Sequence, residues 1–411
     1  MVNNIIKNSR NTKNAPNNLV STQSVAFSHY NNISAQLPLD PKTGKVVIGG
    51  IKEQTTQCLN NIKAIVEQID HTMDDVIKIH VFVKDILNIK IIDEVYQTFF
   101  NGILPTRTVV VVADLPENNA LVQMDALISN GEGTMPQQPC ALIKVSRNMD
   151  NVPNDKMATQ TVAFSHYNNL SAQLPLDFKT NEVINGDIKA QVKQCLYNIS
   201  ILLNSIGHVI NDVVKTTIYI KNVKHIEIIN IICNSFFGDY IPARTFVVVE
   251  DLFKGALLQI DTVVSHGDGT PPQLPEDSRL LVIKASNSEK SPVTSYSHTV
   301  AFSHYNHISG QLPLDPKTLM VVDGYIQAQT KQCLNNIKAI VESIDHVMDD
   351  IVKVNIQLRN MLDIELVDEI YTSFFKEALP ARTVIGVSEI PMDALIQIDV
   401  ILSNSESTPP K

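Results

Sequence analysis

The chain of 411 residues has no tryptophan, five cysteines and no apolar run long enough to cross a bilayer. Met1 to Arg10 lacks an apolar core of signal-peptide length, so a cytoplasmic protein without a membrane partner is expected. Positive charge is also in short supply. Lys and Arg number 33 against 43 Asp and Glu, a formal net charge of −10, and no basic–aromatic platform offsets it. That balance argues against a broad electrostatic grip on nucleic acid. No phosphate-binding glycine loop, zinc-ligand spacing or Ser-His-Asp signature is present, and no metal is expected. The odd cysteine count argues against a disulfide framework. Cys58, Cys195 and Cys333 recur at one repeat position inside an apolar helical pattern, which reads as buried thiols in a reducing compartment.

What the chain does have is repetition. Val25-Ala-Phe-Ser-His-Tyr-Asn-Asn returns at Val162 and, with one change, at Val300. The period is that of a whole domain, giving expected units at 1–135, 136–272 and 273–411. Gly-Glu-Gly-Thr-Met-Pro (131–136) and Gly-Asp-Gly-Thr-Pro-Pro (267–272) read as linkers, and the tail Ser405-Glu-Ser-Thr-Pro-Pro410 as a third.

Within a repeat the pattern predicts β-ββ-α-β-α-ββ. An apolar stretch (Ile5-Ile6-Lys7, Leu142 to Val145, Leu281 to Lys284) reads as the first strand. Two short β runs follow, joined by a turn at His29-Tyr30-Asn31-Asn32 with Asn at its tip. Ile51, Cys58, Leu59, Ile62, Ile65, Val66 and Ile69 paint one stripe of a helix that ends near Asp70-His71. Val352, Val354, Ile356 and Leu358 alternate with Lys353, Asn355 and Gln357, a half-buried strand by period. A second helix covers about Ile91 to Phe100, and two more strands close the unit. Helices able to cover one sheet face make this an α+β layer arrangement.

One stretch recurs with a chemical handle. Leu104-Pro-Thr-Arg107-Thr, Ile241-Pro-Ala-Arg244-Thr and Leu379-Pro-Ala-Arg382-Thr each place an arginine at the mouth of a β-rich run, behind a stiff proline. A planar fork of donors there suits a carboxylate or phosphate; tying a loop carboxylate at an interface is the plainer alternative. Asp125, Asp261 and Asp399 stand on the last strand, as candidate bases or as carboxylates facing a polar channel. His29, His166 and His304 recur in the hairpin and read as a surface turn; His71, His208 and His346 sit where a helix C-terminus favours them.

With these parts in place, the repeats resemble the RidA (YjgF/YER057c/UK114) family. The matching residues are Ser34-Ala-Gln36-Leu-Pro-Leu-Asp40-Pro-Lys-Thr-Gly44, Gln54, Asn60-Asn61-Ile62, Asp75-Val76-Ile77-Lys78 and Pro105-Thr-Arg107. Ser309-Gly310-Gln311-Leu-Pro-Leu-Asp-Pro-Lys-Thr and Pro380-Ala-Arg382-Thr match more closely still. The resemblance implies three tandem chorismate-mutase-like domains, each a sheet covered on one face by two helices. It also implies a closed intrachain pseudo-trimer, monomeric as a chain, with ligand clefts between neighbouring repeats.

The family hydrolyses 2-imino acids, such as 2-iminobutanoate and 2-iminopropanoate, to 2-oxo acids and ammonia without a cofactor. Its carboxylate-holding arginine matches Arg107, Arg244 and Arg382. Its water-activating glutamate matches Gln123, Gln259 and Gln397, a departure in every repeat, since Gln accepts no proton at neutral pH. The tyrosine that packs over the ligand is kept only as Tyr296, with Ser21 and Ala158 at the matching places, so the three clefts are expected to differ. Ser34, Ser171 and Ser309 match a serine near the cleft, and each reads equally as a residue satisfying strand backbone. The expected partner is a small carboxylate or imino acid. Two other functions follow from the same residues: a non-catalytic binder of small carboxylates or other anions, and the ribonuclease or translation inhibitor named for some family members, which the acidic charge disfavours.

Overall fold

The computed structural model describes residues 5–131, 133–135, 142–267, 269–271, 283–292, 294–405 and 407–408. The expected linkers lie partly outside these residues, as do Leu281 and Val282 of the third expected lead strand.

The first repeat runs β1 (Asn8–Arg10), β2 (Ser24–Phe27), β3 (Tyr30–Gln36), α1 (Ile51–Gln68), β4 (Val76–Val83), α2 (Ile89–Tyr96), β5 (Thr106–Val111) and β6 (Val122–Ser129). The second runs β7 (Val145–Arg147), β8 (Thr161–Phe164), β9 (Tyr167–Leu170), α3 (Ile188–Ser205), β10 (Val213–Ile220), α4 (Ile226–Phe237), β11 (Ala243–Val248) and β12 (Leu258–Ser265). The third runs β13 (Lys284–Ser286), β14 (Thr299–Phe302), β15 (Tyr305–Gln311), α5 (Ile326–Glu342), β16 (Ile351–Leu358), α6 (Ile364–Thr372), β17 (Ala381–Gly386) and β18 (Ile396–Ser403). Each sheet is six-stranded with the order β1-β2-β3-β6-β4-β5 and its equivalents. Among these strands only the β4–β5 pairing and its counterparts are parallel, because a helix carries the chain from one strand to the other.

The apolar stripe of α1 explains its placement. Cys58, Leu59, Ile62, Ile65 and Val66 are buried against the sheet residues Ile33, Ile79, Val81 and Met124. At its start Glu53 Oε2 accepts from Gly50 N–H at 2.9 Å. Beyond its end Asp70 turns left-handed (φ 61°), and His71 N–H returns to Val66 O at 3.1 Å. The three repeated cysteines are each buried in the core of their own repeat, as the stripe predicts.

Three local expectations are corrected. The first strands begin about three residues later than the apolar runs, because Ile5, Leu142 and Ile283 pack into a cluster on the ring axis instead. The hairpin turn is Ser28-His29, with Ser28 at φ 48°, and Tyr30 to Asn32 already belong to β3. The alternating strand β16 is not half-exposed: Lys353 and Gln357 are 6% and 4% accessible, so its polar face is turned to neighbours.

Those neighbours are the other repeats. β5 lies beside β9, β11 beside β15, and β17 returns to β3, which closes a ring with sheets inward and helices outward. One apolar cluster on the axis draws on all three repeats. At its centre the rings of Tyr30, Tyr167 and Tyr305 meet edge to face, with centroids 5.8 to 6.0 Å apart. Each hydroxyl donates to a carbonyl of the next repeat, at Phe164, Phe302 and Phe27 respectively. A second apolar cluster, including Phe82, Tyr219, Val247 and Ile385, closes the other end.

Candidate functional site

Each seam of the ring is built around one of the repeated arginines. The proline ahead of it directs the chain into the edge strand, and the arginine's own N–H reaches the next repeat. Arg107 N–H donates to Ser171 Oγ at 2.9 Å, Arg244 N–H to Ser309 Oγ at 2.8 Å, and Arg382 N–H to Ser34 Oγ at 2.8 Å. The serine hydroxyls donate in turn to the carbonyls of Thr159, Ser297 and Thr22. All three serines therefore bind backbone and clamp the edge strand of one repeat to the hairpin of the next.

The side chains of the three arginines are buried, at 6%, 0% and 6% exposure in chain order, but their partners differ. Arg107 Nη1 donates to Asp93 Oδ1 at 2.6 Å, and Arg382 Nη1 to Asp368 Oδ1 at 2.5 Å. Arg244 Nη1 donates instead to two amides, Asn230 Oδ1 at 2.6 Å and Asn234 Oδ1 at 3.2 Å. Its Nε and Nη2 are buried without a hydrogen-bond partner among the described residues, as is Nε of Arg107. Burial works against the charge at Arg107, but Asp155 and Asp93 outweigh it and raise the pKa. At Arg244 burial wins and the pKa is lowered, since only Cys233 and Tyr296 act in the other direction.

The aromatic neighbours differ too. Arg107 and Arg382 lie 5.1 Å from the rings of Tyr96 and Tyr371, which come from the same repeat's second helix. The second repeat has Cys233 at that helix position, and the ring within 5.6 Å of Arg244 is Tyr296 of the third repeat. Tyr296 is thus brought to an arginine of another repeat. In the same seam Gly310 stands where the other repeats have Ala35 and Ala172. A Cβ at Gly310 would lie 3.0 Å from Thr245 Cγ2 and 3.2 Å from Gln397 Cδ.

Gln123, Gln259 and Gln397 are all buried on the last strands. Gln397 Nε2 donates across the seam to Phe246 O at 2.7 Å, two residues along the strand from Arg244, and to Gln357 Oε1 at 3.1 Å. Gln259 Nε2 reaches Ala172 O at 3.4 Å, while Oε1 of Gln123 and of Gln259 has no partner among the described residues.

The three aspartates serve a different place. They line an axial cavity of about 160 Å³ and pair with lysines of neighbouring repeats. Lys353 Nζ lies 3.0 Å from Asp125 and Lys215 Nζ 3.2 Å from Asp399, while Lys78 bonds Asp261. His80 bridges Asp125 at 2.7 Å and Asp261 at 3.4 Å through its two ring nitrogens. Both nitrogens can donate only in the imidazolium form. The carboxylates of Asp125 and Asp261 are held far below the usual range: burial opposes this, and Lys353 for the one and Lys78 for the other, with His80, outweigh it. Aspartates so engaged face the channel as ion-pair partners, and the candidate base role is not supported.

The hairpin histidines are less exposed than a surface turn would leave them, His29 buried and His166 and His304 half-buried. His29 is 7% exposed, with Nδ1 3.2 Å from Asn130 O, and burial pulls its pKa down to about 4. His304 Nδ1 is likewise 3.1 Å from Asn404 O. His208 and His346, at helix ends, each approach an aspartate four residues on at 3.2 Å, and His71 approaches its own at 3.7 Å. No group of three potential metal ligands occurs among the described residues, and no described helix is long and apolar enough to cross a membrane. Sequence reasoning missed Asp93, Asn230 and Asp368, each 14 residues ahead of its arginine. The signal was their shared repeat position. It missed Lys78, Lys215 and Lys353 as a set for the same reason.

The endoribonuclease L-PSP family model matches residues 12–129, 159–266 and 287–403. A RutC family protein of Pyrococcus horikoshii is 41% identical over 120 residues, 29% of this chain and 94% of that protein. A 2-iminobutanoate/2-iminopropanoate deaminase of Dermatophagoides farinae is 35% identical over 111 residues, 27% of this chain and 87% of its own length. Among solved structures, RidA from an Antarctic Psychrobacter is 32% identical, with a TM-score of 0.29 and coverage of 29% of this chain and 98% of that one. With three matches spanning most of its length, the chain belongs to the endoribonuclease L-PSP (RidA, YjgF) family, carrying the family unit three times in one polypeptide.

Proposed function

We propose that the chain holds small 2-imino and 2-oxo carboxylates in the seams between its repeats and hydrolyses 2-imino acids to 2-oxo acids and ammonia. The observation that carries this reading is the repeated buried arginine, fixed at every seam by a serine of the next repeat. Its fork pairs with the substrate carboxylate and sets the C=N carbon at one place. The deaminase of Dermatophagoides farinae, alike over one repeat, supports the choice of substrate. Water attacks the imine carbon, the C=N π pair passes to nitrogen, and the proton lost by the water ends on that nitrogen. Collapse of the carbinolamine then forms the C=O bond from the O–H pair, passes the hydroxyl proton to nitrogen and breaks the C–N bond, which releases ammonia. Gln397, its Nε2 committed to Phe246 O, has Oε1 left to orient the water as an acceptor. No protein base is required if the nascent amine takes the proton.

The three glutamines favour a second reading, binding without turnover, because no seam has a carboxylate at the water-activating position. Imine decay separates the two. 2-Iminobutanoate is generated in situ by a threonine dehydratase, and its loss is followed with and without micromolar protein. Faster decay is the expected result. Unchanged decay overturns hydrolysis, and a thermal shift with 2-oxobutanoate that vanishes in the triple Arg107/Arg244/Arg382→Ala variant then identifies a binder.

A further inference from the structure

The three seams repeat the same backbone bonds yet present three guanidinium groups in two electrostatic states. At Arg107 and Arg382 one arm of the fork already carries a carboxylate, at 2.6 and 2.5 Å. At Arg244 the same place is filled by the neutral Asn230, and no ion pair to this arginine occurs among the described residues. A cation at 0% exposure without a countercharge is costly, and an arriving anion would offset that cost. The two atoms without partners among the described residues, Nε and Nη2, form the side edge of the guanidinium. That edge presents two parallel N–H groups spaced for the two oxygens of one carboxylate.

The surroundings agree. Cys233 in place of the tyrosine found in the other repeats leaves the helix side of Arg244 small, and Tyr296 covers it from the opposite repeat. Gly310 stands where the other seams carry Ala35 and Ala172, and Thr245 and Gln397 close in on it. Charge and cover therefore both differ at this one seam.

We infer that the Arg244 seam alone takes up a small monocarboxylate, one per chain, and that Asp93 and Asp368 occupy the other two arginines as built-in carboxylate ligands. The inference rests on the carboxylate role proposed above for the arginines, and it goes further in assigning that role to one seam. It makes Asn230 the residue that keeps the site available, and the two aspartates the residues that silence its copies.

Titration calorimetry of the full chain with 2-oxobutanoate at neutral pH tests it. One equivalent is expected for the natural chain and up to three for the Asp93→Asn/Asp368→Asn double variant. Asn230→Asp, which installs the third carboxylate, is expected to weaken binding at least tenfold, and Arg244→Met to abolish it, both with cooperative thermal unfolding retained as the check on folding. Two or three equivalents in the natural chain, or full affinity in Asn230→Asp, overturns the inference. Binding by the double variant but not by the natural chain also overturns it, while leaving the arginines as carboxylate holders. Imine decay on the same samples reports separately: one bound equivalent without turnover supports the inference and overturns hydrolysis.

Discussion

Arg244 is a charged side chain with no exposed surface and, among the described residues, only amides as hydrogen-bond partners. Such a group is kept at the expense of stability, which sets up a contrast between chemically identical substitutions. Arg244→Met removes an uncompensated charge and is expected to raise unfolding stability by about 1–3 kcal/mol. Arg107→Met instead strands Asp93, whose side chain is 24% exposed and rehydrates in part, so a loss of about 1 kcal/mol is expected. Urea unfolding midpoints of the two variants check the opposite signs. Acid provides another test. Burial raises the pKa of Asp93, with Arg107 opposing, so Asp93 loses its charge above the ordinary aspartate value of about 3.9 as pH falls. Arg107 is then released, and 2-oxobutanoate stoichiometry is expected to rise above one as the solution is acidified towards the ordinary aspartate range. The arginines themselves were legible in the sequence, because proline, arginine and a β-rich run stand side by side. The letters at 93, 230 and 368 were equally visible, but acquired meaning only when α2, α4 and α6 packed over the strands that carry the arginines.

The turn from Asp40 to Gly44 shows how closely an element follows its local letters. Asp40 Oδ1 accepts from Lys42 and Thr43 N–H, and Gly44 adopts φ 67° with its N–H on Asp40 O at 2.8 Å. The third repeat makes the same turn with Leu319 at φ 58°, 42% exposed. A branched side chain is strained in that conformation, so Leu319→Gly is expected to stabilise the protein by about 1 kcal/mol, read as a rise in Tm. Gly386 lies at the opposite extreme. It exchanges backbone bonds with Asp114 of the first repeat, and a Cβ there would come within 2.8 Å of Asp114 N. Gly386→Ala is expected to cost about 1–3 kcal/mol, with the seam rather than the third sheet disturbed; hydrogen exchange at Ala113, Asp114 and Gly386 locates the change. Helices and strands were readable in order and type from their periods. The lead strands were misplaced because Ile5, Leu142 and Ile283 are apolar for a reason outside their own sheet, the axial cluster.

The closed ring is held by ion pairs that no single repeat completes. Lys78 to Asp261, Lys215 to Asp399 and Lys353 to Asp125 pass from each repeat to the next and back to the first. Asp261→Asn leaves Lys78 and His80 buried with one partner fewer, and a loss of about 3–5 kcal/mol is expected in urea unfolding. The pH dependence has two limbs. The pKa of His80 is raised: burial opposes the shift, and Asp125 and Asp261 outweigh it. The folded state therefore holds this proton more tightly than the unfolded state. Its stabilisation is complete below about pH 6.5 and is lost as pH rises through the folded value. The depressed Asp125 and Asp261 act in the opposite sense, stabilising above about pH 3.9 and losing that contribution in stronger acid. Tm is expected to form a plateau between these limits, and His80→Asn, the residue of the third repeat at Asn355, to flatten the alkaline limb. The sequence by itself determined the number of repeats, the order of their elements and the place of each arginine, because those depend on letters a few residues apart. Only the tertiary structure decided that the polar strand faces meet across an axis, and that one of three like arginines is left without a carboxylate. Both depend on which side chains a closed ring brings together from distant parts of the chain.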